Sequence, residues 1–68
     1  MQKRSLILAG HRTSIALEPE FWTALEEIAA ARGISVTALL REIDERRETD
    51  NLSSAVRVTV LSWYRDRL

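Results

Sequence analysis

The sequence predicts a small, mostly α-helical protein with one short strand near its N-terminus. Three observations predict this class: alternating apolar side chains over residues 12–17, two stretches with apolar residues at helical spacing, and a third such stretch near the C-terminus. The 68 residues suffice for one domain at most. A domain of this size buries only about 60% of the surface that its unfolded chain exposes. Since the chain has no cysteine, the expected source of further stability is association with a second copy.

The predicted strand covers Arg12 to Leu17. Its side chains divide by alternation into two sets, Thr13, Ile15 and Leu17 against Arg12, Ser14 and Ala16. A lone strand of this length leaves both hydrogen-bonding edges unpaired, so it needs a partner. The sequence is compatible with two: residues 5–9 of the same chain, folding back through a two-residue Gly10-His11 turn of type II′, or the same strand of a second chain.

Two helices are predicted next. The first runs from about Pro19, which suits the first helical position, to Arg32, and Gly33 follows as the left-handed residue that ends it. Its apolar residues recur at helical spacing: Phe21, Trp22, Leu25, Ile28 and Ala29. Ser35 is the expected cap of the second helix. That helix has the apolar stripe Val36, Leu39, Leu40 and Ile43 and ends in a polar segment before residue 51.

The last segment, about residues 52–66, fits two interpretations. Val56, Val58 and Val60 alternate with other residues as in a strand, whereas Leu52, Val56, Val60, Trp63 and Tyr64 share one helical face. A helix is favoured because the segment continues without a turn signal beyond the length of a typical strand. Ser53 is its expected cap.

The formal net charge of zero is the sum of two segments with opposite charge. Residues 1–17 contain Lys3, Arg4 and Arg12 and no acid, whereas the remainder has seven arginines against ten acids. We therefore predict a basic N-terminal arm over residues 1–10 and a single domain over 11–68. A basic segment ahead of an acidic body is typical of polyanion binding, and the alternative is chance clustering.

Other classes of function find little support. No apolar run approaches the roughly 20 residues of a membrane helix, and a soluble, cytoplasmic protein without a membrane partner is expected. No set of nucleophile, base and orienting residue is present, so neither an enzyme nor catalytic residues are predicted. One histidine without cysteine predicts no metal site, and no Gly-rich phosphate loop indicates a cofactor.

The order of strand, Pro-initiated helix, Gly-x-Ser turn and second amphipathic helix resembles the ribbon-helix-helix family of DNA-binding transcriptional regulators. The resemblance covers residues 11–44 and rests on the strand, Pro19, the first-helix stripe, and Gly33-Ile34-Ser35 with Leu39, Leu40 and Arg41. The runs Gly10–Ser14 and Asn51–Ala55 are also similar to a small bacterial subfamily of such proteins.

The resemblance implies an intertwined homodimer whose two chains pair their strands into an antiparallel ribbon that enters the major groove of DNA. It implies base contacts from Arg12, Ser14 and Ala16, of which Arg12 suits a guanine O6/N7 edge. Ala16 departs from the family, whose members often have a polar residue there. The expected phosphate contacts are Lys3, Arg4, His11, Ser35, Val36 and Thr37. The expected dimer core consists of Thr13, Ile15, Leu17, Trp22, Leu25, Ile28, Leu39, Leu40 and Ile43.

The predicted function is therefore sequence-specific binding of double-stranded DNA by a homodimeric bacterial repressor. The alternative is a protein-interaction module, for example an antitoxin-like protein, whose C-terminal helix binds a protein partner. Trp63 and Tyr64 in that extra helix favour this alternative.

Overall fold

The computed structural model describes all 68 residues. A β-hairpin comes first, formed by β1 (Gln2–Leu8) and β2 (His11–Leu17). Three helices follow, α1 (Pro19–Arg32), α2 (Val36–Arg46) and α3 (Leu52–Arg65). The prediction of a mostly helical chain is confirmed, whereas the prediction of a single strand is wrong, because there are two.

The two strands pair antiparallel, with Ser5 opposite Ser14 at the centre of the register. Of the two partners compatible with the sequence, the structure pairs β2 with the N-terminal segment of its own chain. The expected separate arm over residues 1–10 is therefore wrong, because most of it forms β1. The ribbon likewise lies within one chain instead of between two. Closing a short local loop costs less free energy than bringing a second chain to the same edge.

The turn of the hairpin consists of Ala9 and Gly10, not of Gly10 and His11 as predicted. Both turn residues have positive φ, 51° for Ala9 and 81° for Gly10. This is the type I′ pattern, whose twist matches that of the strands. Gly10 adopts it freely, whereas the left-handed conformation costs Ala9 about 1–2 kcal/mol. Relative to the predicted turn, β1 is displaced by two residues along β2. A displacement by an even number leaves the same residues of the two strands on a common face.

Helix α1 has the predicted bounds. Pro19 occupies its first turn, and Gly33 ends it with φ 69° in the left-handed region. Near the start of the helix, Trp22 donates its Nε1 hydrogen to the carbonyl oxygen of Gln2 at 2.8 Å. This bond attaches α1 to the first residue of β1.

The caps of the other two helices differ in how well the sequence predicted them. The Ser35 Oγ accepts a hydrogen bond from the Ala38 N–H at 3.0 Å, which confirms the expected cap of α2. The cap of α3 is Asn51, whose Oδ1 accepts from the Ser54 N–H at 3.0 Å. The prediction of Ser53 is wrong, because Ser53 lies inside the first turn. The helical interpretation of this segment is confirmed.

All buried side chains are apolar and form one core. Helix α2 contacts β1, α3 contacts β2, and α1 contacts both other helices and β2. The residues expected in a dimer core are already covered within one chain. Eight are buried and Thr13 is half-buried; the eight are Ile15, Leu17, Trp22, Leu25, Ile28, Leu39, Leu40 and Ile43. Their burial therefore needs no second copy.

Candidate nucleic-acid interface

The hairpin turns one face to the helices and the other to solvent. Alternate residues point inward, among them the buried Leu8, Ile15 and Leu17. The others form a surface that we call the outer face, made of Lys3, Ser5 and Ile7 from β1 and Arg12, Ser14 and Ala16 from β2. Five of the six are exposed and Ala16 is half-buried. The residues predicted to contact bases thus lie together on one accessible surface.

The outer face holds two unpaired cations around a central pair of hydroxyls. Lys3 lies opposite Ala16 and Arg12 lies opposite Ile7 in the register. Between them the Oγ atoms of Ser5 and Ser14 are 3.2 Å apart. Neither cation belongs to any of the ion pairs of the chain. The surface therefore offers positive charge and hydrogen-bond donors to solvent, and none of its six residues is an acid.

Two residues of this surface, Ser5 and Ile7, were missed by sequence reasoning. The alternation of β1 is obscured because Leu6, Ile7 and Leu8 are consecutive apolar residues. A signal was nevertheless available, since both strands have a cation followed two residues later by serine.

Two of the expected phosphate contacts lie away from the outer face. The Arg4 guanidinium stacks over the Trp22 ring, 4.3 Å from its centroid, and pairs with Glu26 at 3.8 Å. His11 lies opposite Leu8 on the inward side of the register, where a depression beside the turn also contains Asp44 and Asp50. Arg4 is thus engaged by Trp22 and Glu26. The depression beside His11 also contains Arg47, which pairs with Asp44, so Asp50 is its acid without an ion pair.

The start of α2 lies beside the ribbon. A shallow depression is lined by Ser5, Leu6, Ile7, Arg12 and Thr37. The Ser35 cap satisfies the N–H of Ala38, whereas the backbone N–H groups of Val36 and Thr37 have no acceptor in the chain. Such free N–H groups at a helix N-terminus favour anions. Of the three predicted phosphate-contacting residues at this helix start, Thr37 thus lies beside the outer face, and Val36 and the cap Ser35 directly precede it.

The start of α3 lies along the other edge of the ribbon. A second depression is lined by Thr13, Ser14, Ile15, Asp50, Asn51, Leu52 and Ser53. Here an acid, Asp50, directly precedes the cap Asn51. Its negative charge opposes the approach of a phosphate. Each edge of the ribbon thus has a helix start beside it, and the two edges differ in charge.

A separate apolar hollow lies between α1 and α3. It is lined by Phe21, Arg57, Val58, Val60, Leu61 and Tyr64. Val58 and Leu61 are 59% and 61% exposed. Beside it the Glu18 carboxylate accepts from Arg57 Nη2 at 2.9 Å. The pKa of Glu18 is lowered, first by a hydrogen bond from its own backbone and then by that from Arg57.

One ion pair joins two of the helices directly. Arg32 and Glu42 join the end of α1 to α2 at 3.0 Å, and the hydrogen bond from Arg32 lowers the pKa of Glu42. No group of three or more His, Cys, Asp or Glu side chains is arranged to hold a metal ion. None of the helices has the length and apolar character needed to cross a bilayer.

A two-stranded antiparallel ribbon carried on helices, with the N-terminus of α2 beside it, defines a ribbon-helix-helix class of protein. The family model of the ribbon-helix-helix domain matches residues 1–64. The chain therefore belongs to the ribbon-helix-helix family, whose domains are generally DNA-binding transcription regulators, typically as dimers and without enzymatic activity. The match includes β1 and nearly all of α3. No curated protein and no solved structure matched the chain.

Proposed function

We propose that this protein binds double-stranded DNA in a sequence-specific manner by inserting the outer face of its ribbon into the major groove. The observation that carries the proposal is the pair of free cations, Lys3 and Arg12, around two serine hydroxyls on a surface without acids. Arg12 donates to the O6 and N7 atoms of a guanine, and Ser14 donates to or accepts from a neighbouring base. Ala16 contributes an apolar contact such as that with a thymine methyl group.

The start of α2 supplies the main backbone contact in this proposal. The Val36 and Thr37 N–H groups and the Ser35 hydroxyl bind a phosphate beside the groove. Lys3 adds positive charge on the same side of the molecule. Arg4 and His11 make no direct contact with DNA, given their neighbours Trp22 and Glu26 for Arg4 and the acids beside His11.

The protein acts in this proposal as a bacterial, cytoplasmic repressor that occupies its operator as a homodimer. Because β1 already pairs with one edge of β2, the surface available for self-association is the apolar hollow of Phe21, Val58, Leu61 and Tyr64. Such a dimer holds two ribbons and favours operators with two related half-sites.

Selection of bound sequences from random duplex DNA tests this function. The wild type is expected to enrich a defined motif at moderate salt, and Arg12→Ala is expected to lose the guanine that Arg12 contacts. Arg65→Ala is the matched control, because Arg65 is an exposed cation without an ion pair at the far end of α3. Absence of binding to any duplex at low salt would overturn the proposal.

The second candidate function is a protein-interaction module in which α3 binds another protein. It is favoured by the exposure of Val58 and Leu61 in the same apolar hollow. Replacing both by serine separates the candidates. Loss of self-association with intact binding to a single half-site supports the DNA-binding homodimer. If the double variant no longer binds a purified protein partner, and neither it nor the wild type binds DNA, the interaction module is supported.

A further inference from the structure

The two strands of the hairpin are related in sequence. Residues 2–8 read QKRSLIL and residues 11–17 read HRTSIAL. Aligned in order, the two segments share a cation at the second position, a serine at the fourth, a branched aliphatic residue at the fifth and leucine at the seventh. The similarity concerns both faces, since the serines point outward and the leucines inward.

The register turns this sequence repeat into a local two-fold relation. Seven pairs form the ladder, and Ser5 opposite Ser14 is the fourth of them. A two-fold axis through this central pair, perpendicular to the sheet, exchanges the strands and superposes Lys3 on Arg12. The two serine hydroxyls lie beside the axis, 3.2 Å apart. The two free cations of the outer face thus occupy equivalent positions on one nearly symmetric surface.

We propose that one chain presents a complete recognition surface, in which β1 contacts bases as β2 does. This inference rests on the proposed DNA binding and deepens it. Lys3 becomes a specificity-determining residue that donates to a guanine O6/N7 edge, like Arg12, instead of a contact to the phosphate backbone. Ser5 takes the role of Ser14 on the other strand. The partner is a short, nearly palindromic element of duplex DNA recognised by a single ribbon.

The geometry of the ladder sets the spacing of that element. Arg12 lies four residues along β2 from Ala16, which is opposite Lys3. At about 3.4 Å per residue the two cations are roughly 14 Å apart along the ribbon. With about 3.4 Å per base pair, the two guanine contacts are separated by about four base pairs and lie on opposite strands. Ile7 and Ala16 differ in size, so the apolar contacts are not equivalent at the two ends.

The experiment selects bound sequences with the wild type, Lys3→Ala, Arg12→Ala and the control Arg65→Ala. The wild type is expected to enrich, in each half-site, two guanines in inverted orientation about four base pairs apart. Each of the first two variants is expected to lose one of them. Each should bind the selected motif at least tenfold more weakly and random duplex within about threefold of wild type. All three replaced residues are exposed, so thermal melting should show unchanged folding.

The failures are distinguishable. If Arg12→Ala changes the motif while Lys3→Ala weakens motif and random duplex equally, β1 does not contact bases. In that case the inference about β1 is wrong, while the proposed DNA binding is still supported. If the wild type enriches no motif, both the proposed function and the inference are wrong.

Discussion

The two faces of the ribbon are built from alternate residues of the same two strands, yet they have different tasks. The inner face supplies Leu8, Ile15 and Leu17 to the core, each less than 5% exposed. The outer face has free cations and hydroxyls and buries no large side chain. Because neighbouring residues point in opposite directions, stability and the proposed DNA recognition are separable by single substitutions in one short segment.

The largest effect is expected for Leu17→Ala on the inner face. Leu17 is fully buried, and its truncation leaves a cavity that costs about 3 kcal/mol of unfolding free energy. Urea denaturation followed by circular dichroism measures this loss. Ser14→Ala on the outer face is the control and should stay within about 0.5 kcal/mol of wild type. Equal midpoints for the two variants would contradict the division between the faces.

Trp22→Phe should loosen the attachment of the inner face to α1. The substitution removes the hydrogen bond to the Gln2 carbonyl and weakens the stacking of Arg4, at a cost of about 2 kcal/mol. Hydrogen exchange should show that the substitution lowers the protection of the β1 amides more than that of the α2 amides. Trp63→Phe is the matched control, since the indole N–H of Trp63 makes no hydrogen bond in the chain. Unchanged protection of β1 would show that Trp22 does not anchor the strand.

The helices were predictable because their signals are local. Pro19, Gly33 and Ser35 mark helix ends by backbone chemistry that holds in any context. Strand β1 was predicted only as one of two alternatives and with the wrong turn. Its three consecutive apolar residues hide the alternation, and Ala9 gives no sign of a positive φ. For the site, alternation sufficed to place Arg12 and Ser14 outward. The position of Arg4 was not predictable, since it depends on Trp22 across the fold.

The two edges of the ribbon also differ, and proline substitutions at the adjacent helix starts test whether each start binds phosphate. Val36→Pro and Leu52→Pro each replace the first residue of a helix, where proline is favoured, and remove one free N–H group. Val36→Pro should weaken DNA binding by about 1 kcal/mol through loss of a phosphate contact. Leu52→Pro should leave affinity unchanged, because the negative charge of Asp50 disfavours a phosphate at the start of α3. Fluorescence anisotropy titration of both variants measures the difference, and equal losses would contradict the assignment of α2.

The smallest effect concerns the ion pair of Glu42 with Arg32, which lies outside the ribbon. The hydrogen bond from Arg32 lowers the folded-state pKa of Glu42 below its ordinary value of 4.5. The stabilisation is therefore fully present above pH 4.5 and is lost as the pH falls through the lowered folded-state pKa. Glu42→Gln should thus melt slightly below wild type at pH 6, and the two curves should converge on acidification. A difference in Tm that grows below pH 4.5 would contradict the lowered pKa. DNA affinity should be the same for both proteins at pH 7, because the pair does not contact the outer face.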